Sequence, residues 1–229
     1  MKREKLQRIL YFVFEKITET RFYGLENLPE TGGLIVATNH MSRIDIPLLF
    51  TNPVRTEITA LVANKYATFP GLNWIINTAG GIYLDRDQAD FTAFRNAVNL
   101  IKSGIAMGIA PEGTRSKKGE LMEGKPGMIL LAMRSGVPIV PVGLSGTDTA
   151  FKRLFTFRKP RMTARFGKPY QIPNIDRNNR EEQLQEITTE IMCRIAALLP
   201  PKYWGFYKDH ARLHALVKEQ GGPVKDEWA

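Results

Sequence analysis

The chain has 229 residues, enough for one substantial core and too few for two comfortable ones. Hydrophobic residues at 43% and charged residues at 24% are the balance of a folded globular protein. The single cysteine, Cys193, excludes an intramolecular disulfide and a cysteine zinc cluster, and a net charge of +9 points to an anionic partner. Nucleic acid, an anionic membrane surface and a phosphorylated substrate all fit that charge.

The N-terminal run places Leu6, Ile9, Leu10, Val13, Phe14 and Ile17 on one face of an amphipathic helix over residues 2–20. Residues 1–21 carry six basic and three acidic side chains, a local charge of 6 − 3 = +3. Such a helix suits a membrane interface, and equally suits packing on its own domain. We take residues 1–23 as this helical element, 24–220 as the main domain and 221–229 as a mobile tail. No secretory signal pattern is evident, and the longest uncharged stretch, 66–84, is interrupted by Pro70, Gly71, Asn73, Asn77, Gly80 and Gly81. These features predict no membrane span and a cytoplasmic chain associated peripherally with the inner face of the membrane.

Beyond a turn at 24–33, strand-like and helix-like segments alternate. Strands are predicted at 34–38, 58–63, 80–84, 105–110, 138–144 and 161–166. Helices are predicted at 43–51, 67–77, 88–102, 126–135, 180–199 and 206–219. The alternation predicts an α/β fold, a mostly parallel sheet flanked by helices, preceded by the amphipathic helix. Cys193 falls among Ile191, Met192, Ile195 and Ala196 and reads as a buried apolar residue. Residues 149–175 hold seven basic side chains, no acid, and interleaved Phe151, Leu154, Phe155 and Phe157. That pattern suits a lipid headgroup layer, donor docking, stacking on single-stranded nucleic acid, or a strand with a solvated basic face.

Reactive residues in such sheets gather beyond the carboxyl ends of strands. Asn39-His40-Met41-Ser42-Arg43-Ile44-Asp45 follows the first predicted strand and holds one of three histidines in the chain, with a carboxylate five positions on. If Asp45 fixes one ring nitrogen, the other is free to take a proton from a hydroxyl. Asp45 also suits a capping box with Ser42. In Glu112-Gly113-Thr114-Arg115, Gly113 permits a tight turn and Arg115 offers a planar fork for phosphate. Glu112 suits substrate hydroxyls, or a salt bridge to Arg115. Arg86, after Gly80-Gly81-Ile82-Tyr83-Leu84-Asp85, and Lys65 are further phosphate candidates. Val137 to Val142 reads as a buried strand whose prolines suit an edge or strand start, packing the domain and lining an acyl groove.

These four segments, in order, resemble the glycerolipid acyltransferase family, typified by lysophosphatidic acid acyltransferases, over about residues 24–170. His40 to Asp45 is similar to its His-x4-Asp motif, Gly81 to Arg86 to its second, Glu112 to Arg115 to its Glu-Gly-Thr-Arg motif, and Val137 to Val142 to its fourth. The resemblance implies acyl transfer from a coenzyme A or acyl-carrier-protein thioester to the hydroxyl of a lysophospholipid such as 1-acyl-glycerol-3-phosphate. It implies His40 as general base, Asp45 as its orienting partner, Arg86 and Arg115 as phosphate contacts and Glu112 in acceptor binding. Gly113, Thr114 and Lys65 complete the expected substrate-binding set. No cofactor, metal or covalent intermediate is expected, only the acyl-CoA or acyl-ACP co-substrate. An anionic membrane surface is the expected macromolecular partner, not nucleic acid.

Two other readings stand beside this one. A non-enzymatic protein binding anionic lipid or nucleic acid follows from the charge of +9 and the 149–175 segment, but binding would not require His40, Asp45 and Glu112 as well. A serine hydrolase would use Gly143-Leu144-Ser145-Gly146-Thr147, in which Thr147 replaces the second glycine of a nucleophile elbow.

Overall fold

The computed structural model describes residues 1–85, 90–176 and 178–228. Seven strands form one sheet: β1 (Glu19–Tyr23), β2 (Leu34–Thr38), β3 (Ile58–Ala63), β4 (Ile82–Leu84), β5 (Ala106–Ile109), β6 (Ile139–Ser145) and β7 (Arg161–Phe166). Their order is β1-β7-β6-β2-β5-β3-β4. All neighbours run parallel except β6 and β7. The helices are α1 (Arg3–Ile17), α2 (Asp45–Phe50), α3 (Pro70–Thr78), α4 (Phe91–Lys102), α5 (Gly127–Ser135), α6 (Ala150–Phe155), α7 (Arg180–Ala197) and α8 (Ala211–Glu219). The architecture is the α/β fold the alternation predicts.

β2 is buried at every position because both of its faces are covered. On one face, Ile35, Ala37 and Met107 join α4, α5 and α7 in the larger core. On the other, Leu34, Val36 and Ile58 join α1 and α2. Cys193 is fully buried in the first core, and burial pushes its thiol up to about 12.

The structure differs from the sequence reading at four places. The N-terminal helix stops at Ile17, and residues 19–23 form strand β1, paired in register with β7. The β-branched Thr18 and Thr20 favour extended backbone there. β6 is a central strand, not an edge; Pro138 stands just before its start, as expected, but Pro141 lies inside it. Pro141 is accommodated because its ring nitrogen faces the side where β7 has ended, and its carbonyl accepts from Gly167 N–H at 2.8 Å. Residues 150–155 form helix α6, unforeseen among the basic residues. Finally, the C-terminal segment expected to be mobile lies on the sheet edge. There Glu227 pairs with Arg21 and Arg165, and the Trp228 indole N–H donates to Thr163 Oγ1 at 2.9 Å.

The inner face of α1 is fastened to the domain. Leu6 is buried, and Gln7 Nε2 donates to the carbonyls of Phe50 at 2.8 Å and Arg55 at 3.1 Å. Its outer face exposes Ile9, Tyr11, Phe12, Val13 and Ile17. No described helix is long and apolar enough to cross a membrane.

Candidate active site

β2 ends at the carboxyl rim, between β5 and β6. The Asn39 side chain holds the chain there. Its Nδ2 donates to the Leu144 carbonyl, and its Oδ1 accepts from Leu144 N–H, both at 2.8 Å. His40 follows, and Asp45 opens α2. Asp45 Oδ2 lies 2.8 Å from His40 Nδ1 and accepts the backbone N–H groups of Met41 at 2.8 Å and Ser42 at 2.7 Å. An acceptor oxygen at that distance places the ring proton on Nδ1 and leaves Nε2 as the proton acceptor. The expected capping box does not form, because Ile44 rather than Ser42 precedes α2 and Asp45 is its first residue; the Ser42 N–H bond to Asp45 instead closes the turn between strand and helix. Ser42 Oγ accepts from Ile44 N–H at 3.4 Å. No described hydrogen bond joins a serine to His40 Nε2, as a nucleophilic pair would require.

Glu112 occupies a different place from the one the sequence suggests. Its side chain is buried, and its two oxygens accept the backbone N–H groups of His40, at 2.8 Å, and Met122, at 3.0 Å. It pairs with Arg115 in no ion pair among the described residues, and it is absent from the walls of both cavities described below. Burial raises its carboxyl to about 7 against the lowering effect of those two N–H bonds, with the Asp45 charge adding to the rise. Gly113 takes the left-handed turn that folds the loop back, with a φ of 72°. The His40 carbonyl accepts from Ser116 N–H at 2.8 Å, so the two motif loops are joined at both ends.

A cavity of about 310 Å³ opens beside His40. Arg43 and Arg115 stand with His40 on its wall beside Thr59 and Tyr66, and the rest is apolar, including Leu10 and Phe14 of α1, Ile58, Ala60 and Val62 of β3, Ile75 and Ile76 of α3, and Gly108 of β5. Arg43 escaped the sequence reading although it sits inside the histidine motif. Lys65 is exposed beside the Tyr66 ring, and Tyr66 rather than Lys65 lines the cavity. Thr114 is exposed on the loop. Arg86 lies outside the described residues. The residues of β6 line neither cavity, so the groove role expected for Val137 to Val142 gives way to packing. A second cavity, of about 910 Å³, lies on the opposite sheet face, where Arg95, Lys102, Lys125, Arg134 and Arg180 face Asp90. Gly113 borders this cavity and Arg115 the first, so the 112–115 loop separates them.

Two tyrosines missed by sequence reasoning brace these loops. Tyr207 OH accepts from Gly124 N–H at 3.0 Å, and Tyr203 OH accepts from Gly146 N–H at 3.1 Å. Burial pushes the Tyr207 hydroxyl up to about 12.

A mostly parallel sheet with a histidine–carboxylate pair at its rim, beside a largely apolar cavity, defines an α/β protein whose rim carries the parts of a general-base site. The family profile described as "Acyltransferase" matches residues 19–145, and the chain belongs to that family. It is 29% identical over 136 residues to a 1-acyl-sn-glycerol-3-phosphate acyltransferase of Borreliella burgdorferi, a match covering 58% of this chain and 54% of that protein. It is 30% identical over 181 residues to one of Saccharomyces cerevisiae, covering 76% of this chain and 59% of that protein. The chain thus spans little more than half the length of these two curated relatives. The crystal structure of a 1-acyl-sn-glycerophosphate (LPA) acyltransferase from Thermotoga maritima superposes with a TM-score of 0.67. That match has 22% identity and covers 97% of this chain and 81% of the other, which establishes the shared fold.

Proposed function

We propose that this protein transfers a fatty acyl group from a thioester donor to the free hydroxyl of a lysophospholipid, 1-acyl-glycerol-3-phosphate being the acceptor its relatives' names suggest. The observation that carries the reading is the meeting of His40, held by Asp45 at 2.8 Å, with Arg43 and Arg115 at the wall of a largely apolar cavity. The cavity matches an acyl chain, and the guanidinium groups match a phosphate.

In this mechanism His40 Nε2 removes the acceptor hydroxyl proton as the oxygen attacks the thioester carbonyl carbon. The C–O bond forms, the C–S bond breaks, and the imidazolium returns its proton to the departing thiolate. A thiol with a pKa of about 8.5 leaves with little acid assistance, so one base suffices. Glu112 acts as a positioning residue that fixes the His40 backbone. The basic second cavity suits the 4′-phosphopantetheine arm shared by coenzyme A and acyl carrier protein, with the 112–115 loop between donor and chain.

The exposed apolar face of α1, with Phe69, Leu72 and Trp74 around α3, supports contact with a lipid surface. Leu10 and Phe14 of α1 and Leu72 of α3 also line the cavity, so its mouth would lie at the interface. The net charge of +9 favours the anionic cytoplasmic leaflet.

The test is thiol release from palmitoyl-coenzyme A and from palmitoyl carrier protein, each with and without lysophosphatidic acid, beside His40→Ala. Acceptor-dependent release that disappears in the variant is expected. Release that ignores the acceptor would replace transfer with hydrolysis.

A further inference from the structure

The α6–β7 connection combines three unusual features. Arg158 N–H donates to the Arg153 carbonyl at 2.9 Å, and Phe157 N–H donates to the Leu154 carbonyl at 3.0 Å. These are the two bonds of a Schellman cap, which puts Phe157 where a glycine ordinarily stands. Its φ is 54°, and it is the one non-glycine residue with positive φ among those described. Left-handed backbone is unfavourable for any residue with a Cβ. Yet the ring gains no packing in return, because Phe157 is fully exposed. Phe155, at 82% exposure, and Phe151 stand beside it on the outer face of α6. Lys152, Arg153, Arg158 and Lys159 surround these rings, and none forms an ion pair among the described residues.

The strand register fixes where this lobe lies. β7 runs antiparallel to β6, and Ser145 at the end of β6 is opposite Thr163. The start of β7 is therefore at the rim that carries His40. β1 is parallel to β7, so the end of α1 reaches the same rim, and Glu19 N–H donates to the Pro160 carbonyl at 2.7 Å. β7 is two strands from β2, a lateral distance of about 10 Å.

We propose that the α6–β7 lobe is a second lipid-surface contact, in which the Phe155 and Phe157 rings enter the interface and the exposed Lys152, Arg158 and Lys159 meet anionic headgroups, while Arg153 Nε holds the Lys159 carbonyl. The occupant is a lipid surface because exposed rings and unpaired cations stand together at the end of the sheet where the apolar cavity opens. With α1 it would give two contacts on one rim, fixing the angle at which the cavity faces the bilayer. A single amphipathic helix sets its own roll through its apolar face but holds the tilt of the attached domain only weakly. The inference rests on the membrane reading given above, and it assigns a new surface to it.

The test is sedimentation with vesicles of phosphatidylglycerol and phosphatidylcholine, and with vesicles of phosphatidylcholine alone, alongside thermal unfolding. Phe157→Gly relieves the backbone while deleting the ring. Its Tm is expected to hold or rise while its partition onto anionic vesicles falls about tenfold. Phe155→Ser, which leaves the left-handed turn untouched, is expected to lose a similar factor. Lys152→Gln with Arg158→Gln and Lys159→Gln is expected to weaken binding to anionic vesicles and spare binding to neutral ones. If the parent protein binds vesicles and both phenylalanine variants bind equally well, the lobe is not a contact, while the α1–α3 reading survives. If the parent does not bind at all, both readings fall. A single-stranded oligonucleotide whose binding is lost in the variants, with vesicle binding intact, would assign the lobe to nucleic acid and overturn the proposal.

Discussion

The backbone N–H of His40 donates to Glu112 Oε1 at 2.8 Å across a sequence separation of 72 residues. The second oxygen, Oε2, accepts from Met122 N–H. The two chemical motifs of this chain therefore meet through the main chain of one and a buried carboxylate of the other. Asp45 sets the histidine ring and Glu112 sets the backbone that carries it.

That arrangement makes stability depend on pH in a sense opposite to an ordinary paired carboxylate. Burial raises the Glu112 carboxyl from 4.5 to about 7, so the folded chain holds a proton that the unfolded chain has lost throughout that interval. Excess protons in the folded state mean that stability falls as pH rises through the window, by about 3 kcal/mol in all. Glu112→Gln removes this titration and also turns an amide NH₂ towards one of the two N–H donors. Urea unfolding at pH 5 and pH 8 should show a loss between the two that is smaller in the variant by that amount. Equal pH dependence in both proteins would mean that Glu112 titrates normally.

The histidine–aspartate pair was legible in the sequence because its geometry is local. A strand end, a four-residue turn and a helix start bring positions 40 and 45 together whatever the rest of the chain does. The role of Glu112 was not legible, because its partners are backbone N–H groups that carry no residue signature. Strand β1 was hidden for a related reason. Thr20 falls at i+3 from Ile17, where the helical stripe of α1 would continue, and five residues are too few to separate a period of two from one of 3.6. The Tyr203 and Tyr207 braces join segments more than 50 residues apart. Nothing in the local pattern names such partners.

Asp45→Asn should lower kcat by about two to four orders of magnitude while the acceptor KM changes little, because the ring loses its fixed tautomer. The amide must choose between accepting from the Met41 and Ser42 N–H groups and facing Nδ1 with its NH₂. Orphaned buried donors cost about 1–3 kcal/mol, so a modest fall in Tm should accompany the loss. An unchanged kcat would remove Asp45 from the mechanism.

Arg55 offers a contrast between fold and chemistry. Its fully buried guanidinium donates to the carbonyls of Pro29 and Gly104, both at 2.7 Å, of Glu57 at 3.4 Å, and also to that of Gly32. These segments lead into β2, β3 and β5 at the amino ends of the strands, opposite His40. Arg55→Met strands four carbonyls and should destabilise the protein by about 3 kcal/mol or more. Turnover per folded molecule at low temperature should stay near that of the parent. A large loss of kcat at unchanged Tm would contradict this separation of the two ends of the sheet.

The cavity predicts its own selectivity. A Cβ built at Gly108 would meet the Thr59 carbonyl oxygen at 3.3 Å, with Ala60 Cβ and Leu49 Cδ1 both at 3.9 Å. Gly108→Ala is therefore tolerable with a small adjustment, a cost of about 1 kcal/mol, while its methyl narrows the channel between β3 and α2. If the acyl chain of either substrate lies there, long chains lose contact and short chains do not. Competition assays with palmitoyl and decanoyl forms of donor and acceptor should show kcat/KM falling several-fold for the longer chain of one substrate only. The substrate affected identifies which acyl chain fills the cavity. An unchanged ratio for both would mean that the cavity beside His40 holds neither chain during turnover.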